Sequence, residues 1–331
     1  MTKIDETIIL APLLGFTDLT YRNVYTRHFS GLDEAIAPFI STMGQQKLNA
    51  SKLKDVDLDL NLSVPITPQI MGNNAGDFVY LANHLYENGH GAVNWNLGCP
   101  HSKIAKKQRG SGLLLYPERI DELLEAILPA LKPTLSVKIR LGRRNKDEIY
   151  RLVETFDRHQ ITEIILHPRT GEQMYTGTSD HDAFEKAMAA SRHPFVYNGD
   201  IVDMASYNRV RERFPQVHRI MIGRGILSNP FLAEEIKGLP AARDLDQASR
   251  LDRIRTFHDD LVAEYAKVFA GPGHLTDRMK GFWTYMGPAF EGHKKPLKQI
   301  LKSPNFDVFR KRVDAFFDLG LPHRPENHGN N

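Results

Sequence analysis

The single cysteine of this 331-residue chain, Cys99, lies in a segment that also contains glycines, an amide and several bases. The segment reads AVNWNLGCPHSKIAKKQRGSGLL over 92–114, and its basic residues are Lys103, Lys106, Lys107 and Arg109. A free thiol has a pKa of about 8.5, so its acid form dominates at neutral pH unless nearby bases lower that value. A lone cysteine is usually inert, so the case for Cys99 depends on its place in a repeating strand-helix pattern.

Polar residues also occur where other short apolar runs end. Lys138 and Arg140 are two residues apart in one run and share a face of the predicted strand. A lysine that points into a buried interior must find an anion or change its pKa, so a buried ion pair is the alternative to a functional role. Gln69 and Asn96 could equally satisfy backbone groups of loops, and a histidine such as His167 is more often structural than functional.

A glycine pair around an arginine indicates a phosphate site. Gly223 and Gly225 flank Arg224 directly after an apolar run, so backbone N–H groups can approach an anion that the guanidinium neutralises. The run before it ends in 198–200, Asn-Gly-Asp, and the first run leads into an apolar bend over 11–15. This arrangement would suit flavin mononucleotide (FMN), although pyridoxal phosphate or a sugar phosphate fits the spacing as well.

Eight short apolar runs provide the framework for these residues, and each predicts a buried parallel strand. The runs are 7–11, 34–39, 66–71, 92–96, 135–140, 163–167, 194–198 and 218–222. Amphipathic segments such as 117–131 and 147–159 lie between them and predict helices. An open doubly wound sheet is the alternative, but eight units that end near residue 235 favour a closed (β/α)8 barrel of the TIM type. Catalytic groups of such barrels gather where the strands end.

The pattern changes after the eighth unit. We expect a barrel domain over 1–236, a linker over 237–249, a small helical domain over 250–320 and a flexible tail over 321–331. Basic residues are dense in the helical part, where Trp283 and Tyr285 are interleaved with them. They are Arg278, Lys280, Lys294, Lys295, Lys298, Lys302, Arg310, Lys311 and Arg312.

Composition narrows the class of protein. No apolar run approaches the roughly 20 residues that span a bilayer, and the first residues lack the order of a signal peptide. One cysteine excludes an intramolecular disulfide and a multi-cysteine metal site, so we expect no metal and a reducing compartment such as the cytoplasm. The net charge of +3 is too small to indicate a partner by itself.

Seven segments in chain order resemble the tRNA-dihydrouridine synthases, flavin-dependent reductases with an FMN-binding barrel and a helical RNA-binding domain. The segments cover roughly 7–235, and GCPHSK and HPRT are their most specific parts: LAPLLGFTD (10–18), PQIMGNN (68–74), NWNLGCPHSKIAKKQRGSGLLL (94–115), SVKIRLG (136–142), LHPRTGEQMYTG (166–177), YNGDI (197–201) and MIGRGILSNPFL (221–232). The resemblance implies reduction of uridines in tRNA to dihydrouridine, with FMN as cofactor and NADPH or NADH as reductant. We also expect a monomer.

The resemblance assigns roles to individual residues. Cys99 becomes the proton donor and Asn96 a contact to a flipped uridine. The implied FMN contacts are Pro12, Leu13, Leu14, Gln69, Lys138, His167, Asn198, Gly199, Asp200, Gly223 and Arg224. The chain departs from the family's pattern at Leu13-Leu14, Trp95, Pro168 and Tyr197, and the last two put the shape of the flavin's surroundings in question.

RNA binding has its own support in the charge pattern. The basic residues after Cys99 and those of the helical part form two positive surfaces suited to a phosphate backbone, although lysines on helices often have no partner. The predicted RNA contacts are Asn96, Lys103, Lys106, Lys107, Arg109, Arg140, Arg278 and Lys280. The segment RMKGFWTYM (278–286) resembles a pattern of the bacterial C-type synthases.

Three other functions fit part of the pattern. A dihydroorotate-dehydrogenase-like flavin barrel would act on a free pyrimidine and would not need the basic helical domain. An aldolase-type barrel would use Lys138 as a Schiff-base nucleophile. A barrel that binds RNA without turnover is the third.

Overall fold

The computed structural model describes residues 6–62 and 64–324, and its centre is a parallel sheet of ten strands. In chain order the strands are β1 Thr7–Leu10, β2 Glu34–Ile36, β3 Ile40–Ser41, β4 Ile66–Thr67, β5 Gln69–Met71, β6 Ala92–Leu97, β7 Thr134–Gly142, β8 Ile164–Thr170, β9 Phe195–Tyr197 and β10 Arg219–Ile222. Each strand thus lies in or overlaps one of the eight predicted runs or follows it directly.

The sheet closes into the predicted barrel. Strand β10 pairs with β1, and the sheet continues through β2 to β4 on one side and through β9, β8, β7, β6 and β5 to β3 on the other. Two barrel strands are each split in two, with Pro38 between β2 and β3 and Pro68 between β4 and β5. Proline has no N–H to donate to the ladder, so the pairing pauses at both positions.

Helices follow most of the strands and form the outer layer. They are α1 Leu19–His28, α2 Ala50–Lys54, α3 Ala75–Glu87, α4 Ser102–Ala105, α5 Pro117–Ile127, α6 Glu148–Phe156, α7 His181–Ala189, α8 Met204–Arg213, α9 Arg224–Ser228 and α10 Leu232–Lys237. Several begin where a side chain accepts a backbone N–H of the first turn, as Asp18, Asn74 and Asp180 do.

Alternation along the strands divides the side chains into two cores. On β1, Ile8 and Leu10 face the helices, whereas Ile9 faces the barrel interior. One side of the interior, here called the apolar sector, consists of Ile9, Ala11, Ile36, Ile165, Val196 and Met221. The opposite side, on β5 to β7, carries polar inward residues and is called the polar sector: Gln69, Asn94, Asn96, Ser136 and Lys138.

The C-terminal region is helical, as predicted, and packs against the start of the barrel. Its helices are α11 Pro240–Arg243, α12 Gln247–Val268, α13 Pro272–Met286, α14 Lys294–Leu301 and α15 Phe306–Asp318. The segment 237–249, predicted as a linker, therefore contains a short helix and the first turn of α12. Tyr265 donates to Asp18 at 2.7 Å, and Arg253 pairs with the buried Glu234 at 2.6 Å. These contacts join α12 to the start of α1, the first helix of the barrel, and to α10, its last.

None of the helices in the described ranges is long and apolar enough to cross a membrane. The predicted barrel and tail ends, 1–5 and 325–331, lie outside the described residues.

Candidate active site

A cavity of about 360 Å³ opens at the C-terminal ends of the barrel strands. This size falls within the range of small-ligand sites. Its wall includes most of the predicted cofactor contacts together with Cys99, and they come from the ends of six of the barrel's strands and from the loops that follow them. The predicted residues on the wall are Pro12, Leu13, Leu14, Asn96, Cys99, Lys138, Arg140, His167, Asn198, Gly199, Asp200, Gly223 and Arg224.

The turn that carries Cys99 is held by its own strand and by the following loop. The side-chain oxygen of Asn96 accepts the N–H groups of Gly98 and Cys99 at 3.2 and 2.9 Å. The Cys99 carbonyl accepts the N–H of Ser111 at 3.0 Å. Gly110 has φ +54° and packs so closely that an added Cβ would lie 2.8 Å from the Cys99 carbonyl oxygen. Asn96 thus has the backbone-satisfying role that the sequence left open.

Burial raises the pKa of the Cys99 thiol. A hydrogen bond from the His101 backbone and the positive charges of Arg140 and Lys138 oppose this increase without reversing it. The thiol therefore keeps its proton at neutral pH, which is the state that a proton donor requires.

Lys138 and His167 both line the cavity, and the pKa of each is lowered. Burial lowers the pKa of Lys138 to about 7, and the charge of Arg140 contributes. Burial also lowers the pKa of His167 far below its ordinary value, so its ring is neutral. Within 6–62 and 64–324, Lys138 has no hydrogen-bond or ion-pair partner. The alternative that the sequence left open, a buried ion pair of Lys138, is therefore absent among the residues that the structure describes.

Arg140 connects the Cys99 turn to the loop after β8. Its Nε donates to the Gly98 carbonyl at 3.0 Å, and its Nη1 donates to the carbonyls of Thr170 and Met174 at 2.9 and 2.7 Å. Burial lowers the pKa of Arg140 to about 10, which still leaves it charged at neutral pH. Arg140 was predicted to contact RNA. Here its guanidinium holds two walls of the cavity together, and the RNA contact stays a prediction.

Arg224 lies between an acid and an aromatic ring. Its guanidinium is 3.1 Å from the Asp200 carboxylate and 4.5 Å from the centre of the Tyr175 ring. Burial would raise the pKa of Asp200, but hydrogen bonds from Arg169 and Ser179 hold it below its ordinary value. Asp200 is thus an anion that orients two arginines, and the cavity keeps a net positive lining.

Aromatic residues at the cavity mouth were not among the predicted site residues. Tyr175 comes from the loop after β8, Phe16 from the loop after β1 and Tyr285 from α13. The rings of Phe16 and Tyr285 meet edge to face at 5.1 Å. Tyr175 stood within the segment LHPRTGEQMYTG, so its place after a strand was the available signal. Only the packing of α13 on the barrel brings Tyr285 to this position.

Several predicted site residues do not face the cavity. Gln69 is fully buried behind Asn96 and hydrogen-bonds it at 2.7 Å. Arg109 donates to Asn73 and Thr42, Arg278 contacts Gly15 and Asp18, and Lys280 donates to the Ser303 carbonyl. A direct ligand contact of each stays a prediction. Lys103, Lys106 and Lys107 are exposed beside the Cys99 turn.

Aromatic residues that stood out in the sequence are structural. Trp283, interleaved with the basic residues, is buried and donates to His258 at 3.2 Å. Trp95 points outward to the helices, where its ring meets Phe78, and Tyr197 does the same towards α7. Tyr197 and Pro168 are not on the cavity wall. These departures from the family pattern therefore lie off the cavity wall, whereas Leu13 and Leu14 form part of it.

Comparison with known proteins identifies the family to which the chain belongs. Residues 9–275 match the family described as dihydrouridine synthase (Dus), a range that runs from the second half of β1 through all later strands to the first turn of α13. The chain belongs to the dihydrouridine synthase family. The family resemblance and the fold expected from the sequence are thereby confirmed.

Relatives within this family cover most of the chain. A tRNA-dihydrouridine synthase B of Vibrio vulnificus is 30% identical over 71% of this chain and 72% of its own length. A probable tRNA-dihydrouridine synthase of Rhodobacter capsulatus is 29% identical over 71% and 72%. The named subgroup is B, so these relatives do not support the C-type resemblance of residues 278–286.

A solved structure shares the fold alone. Histamine dehydrogenase from Rhizobium sp. 4-9 is 12% identical, with a TM-score of 0.55 over 77% of this chain and 50% of that one.

The residues present fit a flavin with a phosphate arm. Gly223 lines the cavity, and an added Cβ there would lie 3.2 Å from the Ala11 side chain and narrow the space beside Arg224. Lys138 supplies a cation without a protein anion, and the bend at Pro12 to Leu14 supplies an apolar wall. Among the residues described, no cluster of three His, Cys, Asp or Glu side chains could hold a metal ion.

Proposed function

We propose that this protein reduces the 5,6 double bond of uridines in tRNA to dihydrouridine, using FMN and a nicotinamide reductant, NADPH or NADH. Its membership of the dihydrouridine synthase family supports the reaction class. The observation that carries the proposal is the position of the chain's one thiol, on the wall of a cavity shared with Lys138, His167 and Arg224.

Cys99 is the proposed acid. Reduction of the double bond requires a hydride at C6 of uracil and a proton at C5, and a bound reduced flavin supplies the hydride. The buried thiol, with its raised pKa, keeps the proton that C5 requires. Asn96 and Ser111 hold the backbone of Cys99, so the thiol is presented from a fixed turn.

Lys138 and Arg140 are the proposed electrostatic partners of the pyrimidine. Negative charge develops on the enolate oxygen of the ring as C6 gains hydride, and nearby cations lower the energy of that state. Both cations line the cavity, and Arg140 is fixed by three backbone carbonyls. His167 stays neutral and can serve as a hydrogen-bonding group.

The proposed substrate is a uridine extruded from a folded RNA. A paired or stacked base cannot reach the end of a barrel, so it must leave its stack to react. Lys103, Lys106 and Lys107 are exposed on the rim beside Cys99 and can neutralise phosphates there. The cations of α14 and α15 form a second group of basic residues, on the helical domain, that can contact the RNA backbone.

Removal of the thiol tests the reaction. The Cys99→Ala enzyme should retain flavin at the ratio of the unaltered protein but lose at least about 100-fold in single-turnover formation of dihydrouridine, because it lacks the general acid. The assay uses unmodified tRNA transcript and NADPH, with dihydrouridine measured by mass spectrometry.

Cys99→Ser is the matched control for size. A hydroxyl is a far weaker acid than a thiol, so this variant should also be slow although it preserves the packing. Full turnover by either variant would contradict the assignment of Cys99. Equal reduction of free uracil and of tRNA by the unaltered protein would favour a small-molecule enzyme instead.

Arg224 tests the proposed phosphate position. Arg224→Ala should release FMN on dialysis, because it removes the charge-assisted hydrogen bonds that an arginine gives to a phosphate. The flavin-to-protein absorbance ratio measures this loss. Arg209→Ala, an exposed arginine of α8, is the control and should keep its flavin. A ratio that Arg224→Ala leaves unchanged would place the phosphate elsewhere.

A further inference from the structure

A chain of side-chain hydrogen bonds runs through the polar sector to the Cys99 turn. Asn94 donates to the Ser136 hydroxyl at 2.9 Å, Gln69 donates to Asn94 at 2.7 Å, and Asn96 donates to Gln69 at 2.7 Å. Asn96 in turn accepts the N–H groups of the turn, including that of Cys99 at 2.9 Å. All four side chains are buried, with Gln69 and Asn94 at 0% exposure.

The strands place these groups in contact. Gln69 on β5 lies beside Asn94 on β6, and Asn94 lies beside Ser136 on β7. Asn96 is two residues beyond Asn94, so both point into the barrel. The chain of hydrogen bonds therefore crosses three neighbouring strands before it reaches the end of β6.

The hydrogen bonds of this chain of side chains all run in one donor-to-acceptor direction, and the backbone of the Cys99 turn determines that direction. Backbone N–H groups only donate, so the end of Asn96 that faces them must be its oxygen and the other end its NH₂ group. That NH₂ requires the oxygen of Gln69, and the NH₂ of Gln69 requires the oxygen of Asn94. Only the Ser136 hydroxyl at the far end can act in either sense.

We propose that Asn94, which does not line the cavity, is a positioning residue for Cys99 and acts on it through Gln69 and Asn96. Only the predicted effect on uridine reduction rests on the proposed function; the positioning of the Cys99 thiol does not. If Asn94 cannot accept, the buried NH₂ of Gln69 has no partner, and Gln69 loses the contact that fixes its position. Its oxygen then no longer holds the NH₂ of Asn96 in place, so the Asn96 oxygen that accepts the N–H groups of Gly98 and Cys99 can shift, and the turn can shift with it.

A structural role alone would not require this arrangement. The apolar sector fills the opposite side of the same barrel with hydrocarbon side chains. Hydrocarbon of the same shape can replace a buried hydrogen-bonded pair with little loss of stability, whereas a buried amide that lacks its partner destabilises the fold. What the amides supply beyond packing is a fixed polarity at the turn.

The test substitutes Asn94→Leu, which is close in size and neither donates nor accepts. Because Cys99 is the chain's one cysteine, the alkylation rate of the flavin-loaded protein by iodoacetamide, measured against pH, reports on this thiol alone. We expect the apparent pKa of the thiol to fall towards its ordinary value, with about tenfold faster alkylation per pKa unit below the apparent pKa. Single-turnover uridine reduction should fall by about 10- to 100-fold, as expected for misplacement on the order of 1 Å.

Three further variants complete the test. Asn94→Asp retains an acceptor for Gln69, and Ser136 can donate to it, so both rates should stay close to those of the unaltered protein. Val196→Ala, from the apolar sector, is the control for lost packing and should leave alkylation unchanged. Ser136→Ala removes only the last acceptor and should shift alkylation in the same direction by less, which keeps the proposal testable if Asn94→Leu does not fold.

The outcomes are separable from those of the proposed function. Alkylation requires no RNA and no turnover, so it tests the position of the thiol even if Cys99→Ala proves active. Unchanged alkylation in both Asn94→Leu and Ser136→Ala would overturn the positioning role. An equal change in Val196→Ala would assign the effect to general loosening of the barrel and would also overturn it.

Discussion

The two sectors of the barrel interior stabilise the same sheet in different ways. The apolar sector packs six hydrocarbon side chains from β1, β2, β8, β9, β10 and the residue after β1. The polar sector on β5 to β7 places amides, a hydroxyl and a lysine on the other side of the interior. Hydrocarbon packing has no direction, whereas each amide has a donor end and an acceptor end that its neighbour must match.

The difference shows where the molecule requires orientation rather than cohesion. The polar sector lies directly beneath the Cys99 turn, and its last member, Asn96, holds that turn. The apolar sector lies beneath the bends that form the proposed flavin wall, and its members Ala11 and Met221 contribute apolar surface to the cavity. One sector thus sets the direction of a turn and the other fills volume.

Placing an amide in the wrong sector should have the largest effect on stability. Ile165→Asn should lower the free energy of unfolding by about 3 kcal/mol, because the buried amide finds no partners among hydrocarbon side chains. Urea denaturation of the flavin-free protein measures this change. A loss under about 1 kcal/mol would show that the apolar sector accepts amides, and the distinction between the sectors would fail.

The charge of Lys138 should make stability depend on pH. Its pKa is about 7 in the folded protein and about 10.4 in an unfolded chain, so between these values the unfolded chain binds more protons. Stability should therefore rise with pH from about 7 to about 10, on the order of 2 kcal/mol after allowance for solvent screening. Lys138→Met should remove this rise and be the more stable protein near pH 7.

The comparison uses urea titrations of flavin-free protein at several pH values, since a bound anion would raise the pKa of Lys138. Other groups titrate in both proteins, so the difference between the two curves isolates the lysine. Parallel curves for the unaltered protein and Lys138→Met would contradict the lowered pKa.

The smallest effect is expected for a conservative truncation in the apolar sector. Ile165→Val should cost about 1 kcal/mol of unfolding free energy, the usual result of deleting one buried methylene. The alkylation profile of Cys99 should not change. A shifted profile would mean that packing on this side also positions the thiol, and the contrast between the sectors would narrow.

Much of the framework could be predicted because it depends on local pattern. The eight runs of apolar residues mark the strands, since a strand buried on both faces requires such a run. The runs also contained the inward polar residues, so Lys138 and Arg140 could be assigned to one face from their spacing. The two prolines that split strands were visible in the sequence, but the resulting interruptions were not predicted.

The partners of individual side chains could not be predicted in the same way. Arg278 was expected to contact RNA, yet it holds Gly15 and Asp18 from more than 250 residues away in sequence. Tyr285 reaches the cavity mouth only because α13 packs on the loop after β1. Such contacts depend on how elements pack, and spacing along the chain carries no information about them.

The sequence by itself determined which strands form, which of their residues face inward and which loop carries the thiol. These follow from alternation and from side-chain hydrophobicity, which are properties of neighbours along the chain. The tertiary structure decided that Gln69 lies behind Asn96, that Arg140 joins two loops and that Asn94 is connected to Cys99. Each of these depends on the register of adjacent strands, because a hydrogen bond forms only when closure of the barrel brings donor and acceptor within reach.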